Sequence, residues 1–213
     1  MISMIKVLVA DDHPVVREGL KQILSEAQDI KVAAEAADGH EILDKVRNQE
    51  FDVIVLDITM PGLMGLDVLK QLKSEKPELP ILILSMHPEE QYAIRVLRAG
   101  ASGYLTKASA PNKLIEAIRK LYRGGKYVSA SLAERIADEL AGDLTKLPHE
   151  TLSDREYQVM CLIASGRTVT QVADQLALSV KTVSTYRTRV LEKMRMKSNA
   201  ELTHYAIENK LVN

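Results

Sequence analysis

The chain has 213 residues, of which 46% are hydrophobic and 27% charged, and a formal net charge of −1. This excludes a disordered tail and a wholly basic nucleic-acid binder, and allows one large core or two smaller ones. A single cysteine, Cys161, rules out an internal disulfide framework, and no run approaches the ~20 apolar residues of a membrane span, so a cytoplasmic protein with no membrane partner is expected.

Strand-sized apolar runs recur along the first half: IKVLVA at 5–10, IKVAAE at 30–35, FDVIVLD at 51–57, PILILS at 80–85 and SGYLT at 102–106. Between them apolar residues fall at helical spacing, as in Val16, Leu20, Ile23, Leu24 and then Ile42, Leu43, Val46. Alternating strands and helices require parallel pairing with right-handed crossovers. Three of the runs are apolar nearly throughout, as strands covered on both faces should be. The expectation is an α/β fold with a doubly wound five-stranded parallel sheet, its strands and helices ending near Arg123.

Gly124-Gly125 break this pattern, a helix-compatible stretch covers roughly 129–141, and 142–150 lacks apolar periodicity and reads as a linker. Four amphipathic segments follow, at about 153–165, 169–176, 180–195 and 199–209, with no strand candidate. Ser153, Ser179 and Ser198 stand where helices would start and Gly166 where one would end. The expected organisation is an α/β domain over 1–123, a linker with a helix over 124–150, and a small all-α domain over 151–213. Residues 1–150 carry 19 Lys and Arg against 23 Asp and Glu, whereas 151–213 carry 9 against 6. An acidic front and a basic back suggest different partners. Cys161, among Val159, Met160, Leu162 and Ile163, reads as a small apolar packing residue.

In an open parallel sheet the ligand site lies beyond the carboxyl ends of the strands. There the first run closes on Asp11-Asp12, the third on Asp57, the fourth on Ser85 and the fifth on Thr106-Lys107. Singly, the acidic pair would serve as helix caps, Asp57 as a loop residue and Lys107 as a solvated surface lysine. Jointly they make a site. Converging carboxylates repel one another at lowered dielectric, and a hard divalent cation with oxygen ligands relieves this, so Mg2+ is expected. Asp57, on the buried central strand and followed by a Met60-Pro61-Gly62 turn, is the best nucleophile toward phosphorus. Lys107 and the Ser85 hydroxyl are suited to phosphoryl oxygens. His13 and His87 flank this pocket, but no spaced His/Cys cluster supports a zinc site. Met60, Met64 and Met86 read as packing residues rather than ligands.

The stretches VLVADDHPVVREGL, DVIVLDITMPGLMGLDVL, ILILS and GYLTK resemble the flavodoxin-like receiver domains of two-component response regulators. The resemblance implies that Asp11 and Asp12 are the acidic pair and that Asp57 accepts phosphate from a cognate histidine kinase. It also implies that Thr59 offers its backbone carbonyl to Mg2+ and that Ser85, Tyr104 and Lys107 are the switch hydroxyl, switch aromatic and conserved-type lysine. A chemistry limited to the chain's own phosphotransfer and dephosphorylation is implied, not turnover as an enzyme.

LSDREYQVMCLIASGRTVTQVADQLALSVKTVSTYRTRVLEKM reads as helix, short helix, tight turn and longer helix, a helix-turn-helix arrangement. In the longer helix Val183, Val190, Leu191 and Met194 form the apolar side, turning Lys181, Ser184, Thr185 and Thr188 to the opposite face. That face is suited to a major groove, with Tyr186, Arg187, Arg189 and Lys193 near enough to reach phosphates or bases. Between 181 and 197 there are six Lys or Arg and one acidic residue, Glu192. The segment resembles the LuxR-type helix-turn-helix of the NarL/FixJ class. This implies binding to double-stranded promoter DNA, and a homodimer when phosphorylated or DNA-bound. Glu156 reads as a buried tie between helices. On the last helix Leu202, Tyr205 and Ala206 are open to two readings, a dimer contact or core.

Two other functions fit part of the pattern. Aspartate-nucleophile phosphohydrolases also place Asp beside Mg2+ and Lys, but their DxD signature is missing, since Ile58 and Thr59 follow Asp57. An adaptor whose helical domain binds protein or RNA is the second.

Overall fold

The first four apolar runs and the fifth all form strands, most of them trimmed at one end, in a computed structural model that describes residues 4–60, 65–86, 89–140 and 147–212. They are β1 (Ile5–Ala10), β2 (Ile30–Ala36), β3 (Val53–Asp57), β4 (Ile81–Ser85) and β5 (Gly103–Thr106), pairing in parallel in the order β2-β1-β3-β4-β5. Between and after them run α1 (Pro14–Ser25), α2 (Gly39–Asn48), α3 (Gly65–Glu75), α4 (Glu89–Arg98) and α5 (Ala110–Tyr122). β3 starts two residues later than the apolar run: the Asp52 N–H still donates to the Lys6 carbonyl of β1 at 2.8 Å, but the Lys6 N–H is taken at 2.7 Å by the Asp52 side-chain Oδ2.

Val7, Val9, Val53, Val55, Leu82 and Leu84 face one layer, packed with Leu20 and Leu24 of α1 and Leu114, Ile118 and Leu121 of α5. The alternate positions Leu8, Ile54, Leu56, Ile81 and Ile83 are equally buried, as a sheet covered on both faces demands. Each such side chain contributes about 1.5–3 kcal/mol of burial. The order of the strands reverses between β1 and β3, so the crevice at their carboxyl ends is the topological switch point, and Asp11, Asp12 and Asp57 stand there.

Beyond α5 the chain returns along the free edge of β5. Tyr127 N–H donates to the Ser102 carbonyl at 3.0 Å, and Tyr104 N–H donates to the Tyr127 carbonyl at 3.0 Å. Gly103 is what lets the two backbones approach, since a Cβ there would lie 2.7 Å from the Tyr127 carbonyl oxygen. Ser129 then caps α6 (Ala130–Leu140) by accepting the Leu132 N–H, and its hydroxyl donates to Glu89 at the start of α4. This strap closes an edge that would otherwise expose unpaired backbone groups.

The chain divides into two compact units, Met1–Ala133 and Glu134–Asn213. The second contains α7 (Asp154–Ala164), α8 (Val169–Leu176), α9 (Val180–Met194) and α10 (Asn199–Glu208). Ser153, Ser179 and Ser198 each accept the N–H three residues on, capping α7, α9 and α10. Gly166, with φ +83°, ends α7 in the left-handed region. α7 packs on both α9 and α10, and α8 packs on α9. Cys161, in no disulfide, is buried within this core. Of the predicted linker, residues 141–146 lie outside the described residues. Residues 148–151 form a 3-10 turn whose His149 is buried, its Nδ1 2.8 Å from the Tyr205 hydroxyl.

Candidate functional site

The carboxyl ends of β1, β3, β4 and β5 bring Asp11, Asp12, Asp57, Ser85 and Lys107 together. Asp11, Asp57 and Ser85 have no exposed surface. Lys107 places its Nζ 2.8 Å from Asp57 Oδ2 and 2.6 Å from Asp11 Oδ2. Burial pulls the lysine below its ordinary value, but the hydrogen bond its ammonium donates to Asp57, its ion pair with Asp11 and the two negative charges outweigh it and hold the ammonium protonated. One cation thus bridges two buried anions, leaving Asp12 as surplus negative charge.

Thr59 contributes more than the backbone carbonyl assigned to it by resemblance. Its N–H donates to Asp57 Oδ1 at 3.1 Å, and its hydroxyl reaches both oxygens of the same carboxylate, at 2.8 and 3.1 Å. Arg17, one turn into α1, donates from a guanidinium nitrogen to the Asp11 carbonyl at 2.7 Å, and its Nε reaches Glu35 on β2 at 3.3 Å. Neither contact had a signature in the sequence, because a lone Thr or Arg carries no spacing that marks its partner. Gly65 opens α3 directly against the pocket floor, where a Cβ would stand 2.5 Å from Ile58 Cα and 2.7 Å from the Asp57 carbonyl oxygen.

Tyr104 is wholly buried, so the aromatic side chain already lies inward, beside β4, where Ile83 is its register partner. Met60 is buried as expected of a packing residue. Met86 is not. It is 73% exposed, a correction with a simple cause, for the chain leaves the sheet after Ser85 and carries Met86 past the rim. Pro61, Gly62, Met64 and His87 lie outside the described residues.

In the helical unit Val183, Val190 and Met194 are buried, and Lys181, Ser184, Thr185, Thr188 and Arg189 lie exposed on the outer face of α9. The Thr185 and Thr188 hydroxyls donate to the carbonyls of Lys181 and Ser184, at 3.0 and 3.1 Å. Their methyl groups and oxygen lone pairs are what they offer outward. Tyr186 is partly buried. Arg187 donates to Asn199 Oδ1 at 2.7 Å, and Lys193 lies 2.6 Å from Oε2 of the buried Glu156. These two cations are therefore tied to the domain's own side chains while remaining partly exposed. Glu156 also accepts the Ser153 N–H at 2.8 Å. Burial pushes its carboxyl up, but Lys193 and the Ser153 contacts outweigh this and hold it below the usual range. Leu202 and Ala206 of α10 are fully buried and so belong to the core, while Ile207 on the same helix is 55% exposed.

Comparison with known proteins agrees with this geometry. The profile of the response regulator receiver domain matches residues 7–119, and that of bacterial regulatory proteins of the luxR family matches residues 150–206. The chain is 37% identical to the response regulator UvrY of Escherichia coli K12, over 99% of this chain and 97% of that protein. Among solved structures, RcsB of Salmonella enterica serovar Typhimurium bound to promoter P1flhDC in the presence of the phosphomimetic BeF3− superimposes with a TM-score of 0.69. That match has 27% identity and covers 94% of this chain and 97% of that one. A structure of two RcsB dimers bound to two parallel DNAs gives a TM-score of 0.60 at 27% identity, covering 96% and 98%. No helix among the described residues is long and apolar enough to cross a membrane. With both its acidic sheet edge and its helix-turn-helix matched across nearly the whole length, the chain belongs to the NarL/FixJ class of response regulators, a receiver domain followed by a LuxR-type DNA-binding domain.

Proposed function

We propose that a cognate histidine kinase phosphorylates Asp57 and that the modification controls sequence-specific binding of the LuxR-type domain to promoter DNA in the cytoplasm. The observation that carries this reading is the Asp57 carboxylate itself, wholly buried at the end of the central strand, with Lys107 at 2.8 Å and Asp11 and Asp12 alongside. In the transfer one Asp57 oxygen forms a bond to phosphorus as the bond from phosphorus to the donor's imidazole nitrogen breaks. Lys107 is within reach of the oxygen it now pairs and can follow the phosphoryl group.

The donor chemistry fits Mg2+. One ligand atom each from Asp11, Asp12 and Asp57 falls within a 4.8 Å cluster, the acidic donors are hard oxygens, and Lys107 alone does not balance them. Asp11, Asp12, Asp57 and the Thr59 backbone carbonyl would hold the ion, which supplies neutralisation of phosphoryl charge when bound. Ser85 would donate its hydroxyl to a phosphoryl oxygen, and β5, with Tyr104 packed in it, would carry the adjustment to the receiver surface.

On DNA, Thr185, Thr188, Ser184 and Lys181 would face base edges, with Tyr186, Arg187, Arg189 and Lys193 toward phosphates or bases. The RcsB dimers on DNA support a homodimer on paired half-sites. Acetyl phosphate with Mg2+ should place one hydroxylamine-sensitive phosphate on the wild-type chain and none on Asp57→Asn. Labelling of that variant at full stoichiometry overturns the nucleophile assignment. Repeated turnover of small phosphate esters would favour a phosphohydrolase over a protein that modifies only itself.

A further inference from the structure

We propose that His13 adds a nitrogen ligand when a first-row transition cation such as Mn2+, Co2+ or Ni2+ occupies the acidic pocket in competition with Mg2+. This rests on the reading of Asp11, Asp12 and Asp57 as a cation site.

His13 occupies the N-cap position of α1, where Ser, Thr, Asp or Asn would ordinarily satisfy a free N–H, and Pro14 follows it into the helix. Its side chain makes no capping bond. The imidazole instead lies over the carboxylates, with Nδ1 2.8 Å from Asp12 Oδ1 and 3.3 Å from Asp11 Oδ1. Asp12 Oδ1 is nevertheless a buried oxygen without a hydrogen-bond partner. The 2.8 Å contact therefore does not run along a donor direction, and a ring nitrogen and a carboxylate oxygen stand side by side. That is how two donors sharing one ion stand. Adjacent ligands of a six-coordinate ion bound at about 2.1 Å are separated by about 3.0 Å, and the two observed separations bracket this value. One ligand atom from each of Asp11, Asp12, His13 and Asp57 lies within 4.8 Å of all the others.

The donor type decides which ions benefit. Mg2+ gains little from imidazole, whereas Co2+ and Ni2+ bind nitrogen strongly and Mn2+ accepts a mixed oxygen and nitrogen set. The side chain of His13 is 66% exposed, so the ring is free to turn onto an ion and its replacement does not open the core. His13→Gln therefore separates ligation from folding.

The experiment uses the full-length protein with Mn2+ as the probe. Pulsed electron paramagnetic resonance of bound Mn2+ should show coupling to a directly ligated imidazole nitrogen, absent from His13→Gln. In competition against pocket-bound Mn2+, His13→Gln should weaken Ni2+ by at least about tenfold while leaving Mg2+ within about twofold, as expected from losing a nitrogen ligand. If Mn2+ binds and is displaced by Mg2+, but without nitrogen coupling or with coupling that persists in His13→Gln, the inference about His13 is overturned and the acidic site stands. If Mn2+ does not bind, or binds equally to Asp12→Asn, the cation site itself is overturned.

Discussion

Asp57 shows how a functional residue is assembled from contacts that oppose stability. Three carboxylates lie close together with Lys107 as the bridging cation, and the residual repulsion is held in place by the sheet core beneath. Asp12→Asn removes one negative charge from this cluster. In the absence of divalent cations it should raise the stability of the receiver by about 1 kcal/mol and should lose the further rise in Tm that Mg2+ gives the wild type. Calorimetry with and without Mg2+ checks both effects, and an unchanged Mg2+ response would remove Asp12 from the site. Glu156 is the opposite case, a buried carboxylate fully paired. Glu156→Ala should cost the LuxR-type domain about 1–2 kcal/mol, because it removes the Ser153 capping partner and the ion pair with the exposed Lys193. Since the folded-state value of Glu156 is held below that of the unfolded chain, its contribution is present above about pH 4.5 and is lost as pH falls through the lower folded value. Acid unfolding of Glu156→Gln should accordingly be less steep than that of the wild type across that window.

Two elements turn this local chemistry outward. The strap at 126–129 is bonded to the backbone of Tyr104 on β5 and, through Ser129, to Glu89 on α4, so it joins the strand that carries Tyr104 to the helix that follows β4. Gly103→Ala puts a Cβ into the Tyr127 carbonyl. It should detach the strap, speeding hydrogen exchange at the Tyr104 and Tyr127 amides by at least about tenfold while exchange in β1 and β3 stays protected, an effect of roughly 1–3 kcal/mol. α9 is the second such element. Arg189→Ala should weaken binding to all sequences alike and lower the salt dependence by about one counterion. Thr185→Ala or Thr188→Ala should change discrimination by about 1–3 kcal/mol at individual base pairs. Uniform losses from all three substitutions, measured over a panel of operator variants, would contradict the division between base and phosphate contacts.

At the scale of the whole molecule, each unit carries a core of its own, Val183, Val190, Met194, Leu202 and Ala206 being buried in the second. A 134–213 fragment should therefore fold alone and bind DNA with an affinity that falls steeply with salt. Phosphodonor should alter binding of the full chain and leave the fragment unaffected. Gel shifts on both would reveal an uncontrolled DNA binder if the full chain ignored phosphate. The sequence by itself determined the alternation of parallel strands and helices, the three serine caps and the five side chains at the strand ends. Each of these depends on local periodicity or on position relative to a strand terminus, and both are written in residue order. Only the tertiary structure decided that the Thr59 hydroxyl rests on Asp57, that Arg17 holds the Asp11 carbonyl, that Lys193 serves Glu156 and that Leu202 and Ala206 are core. Those pairings join residues through the third dimension, where a side chain's partner is set by which helix faces pack together, and a one-dimensional pattern has no term for that.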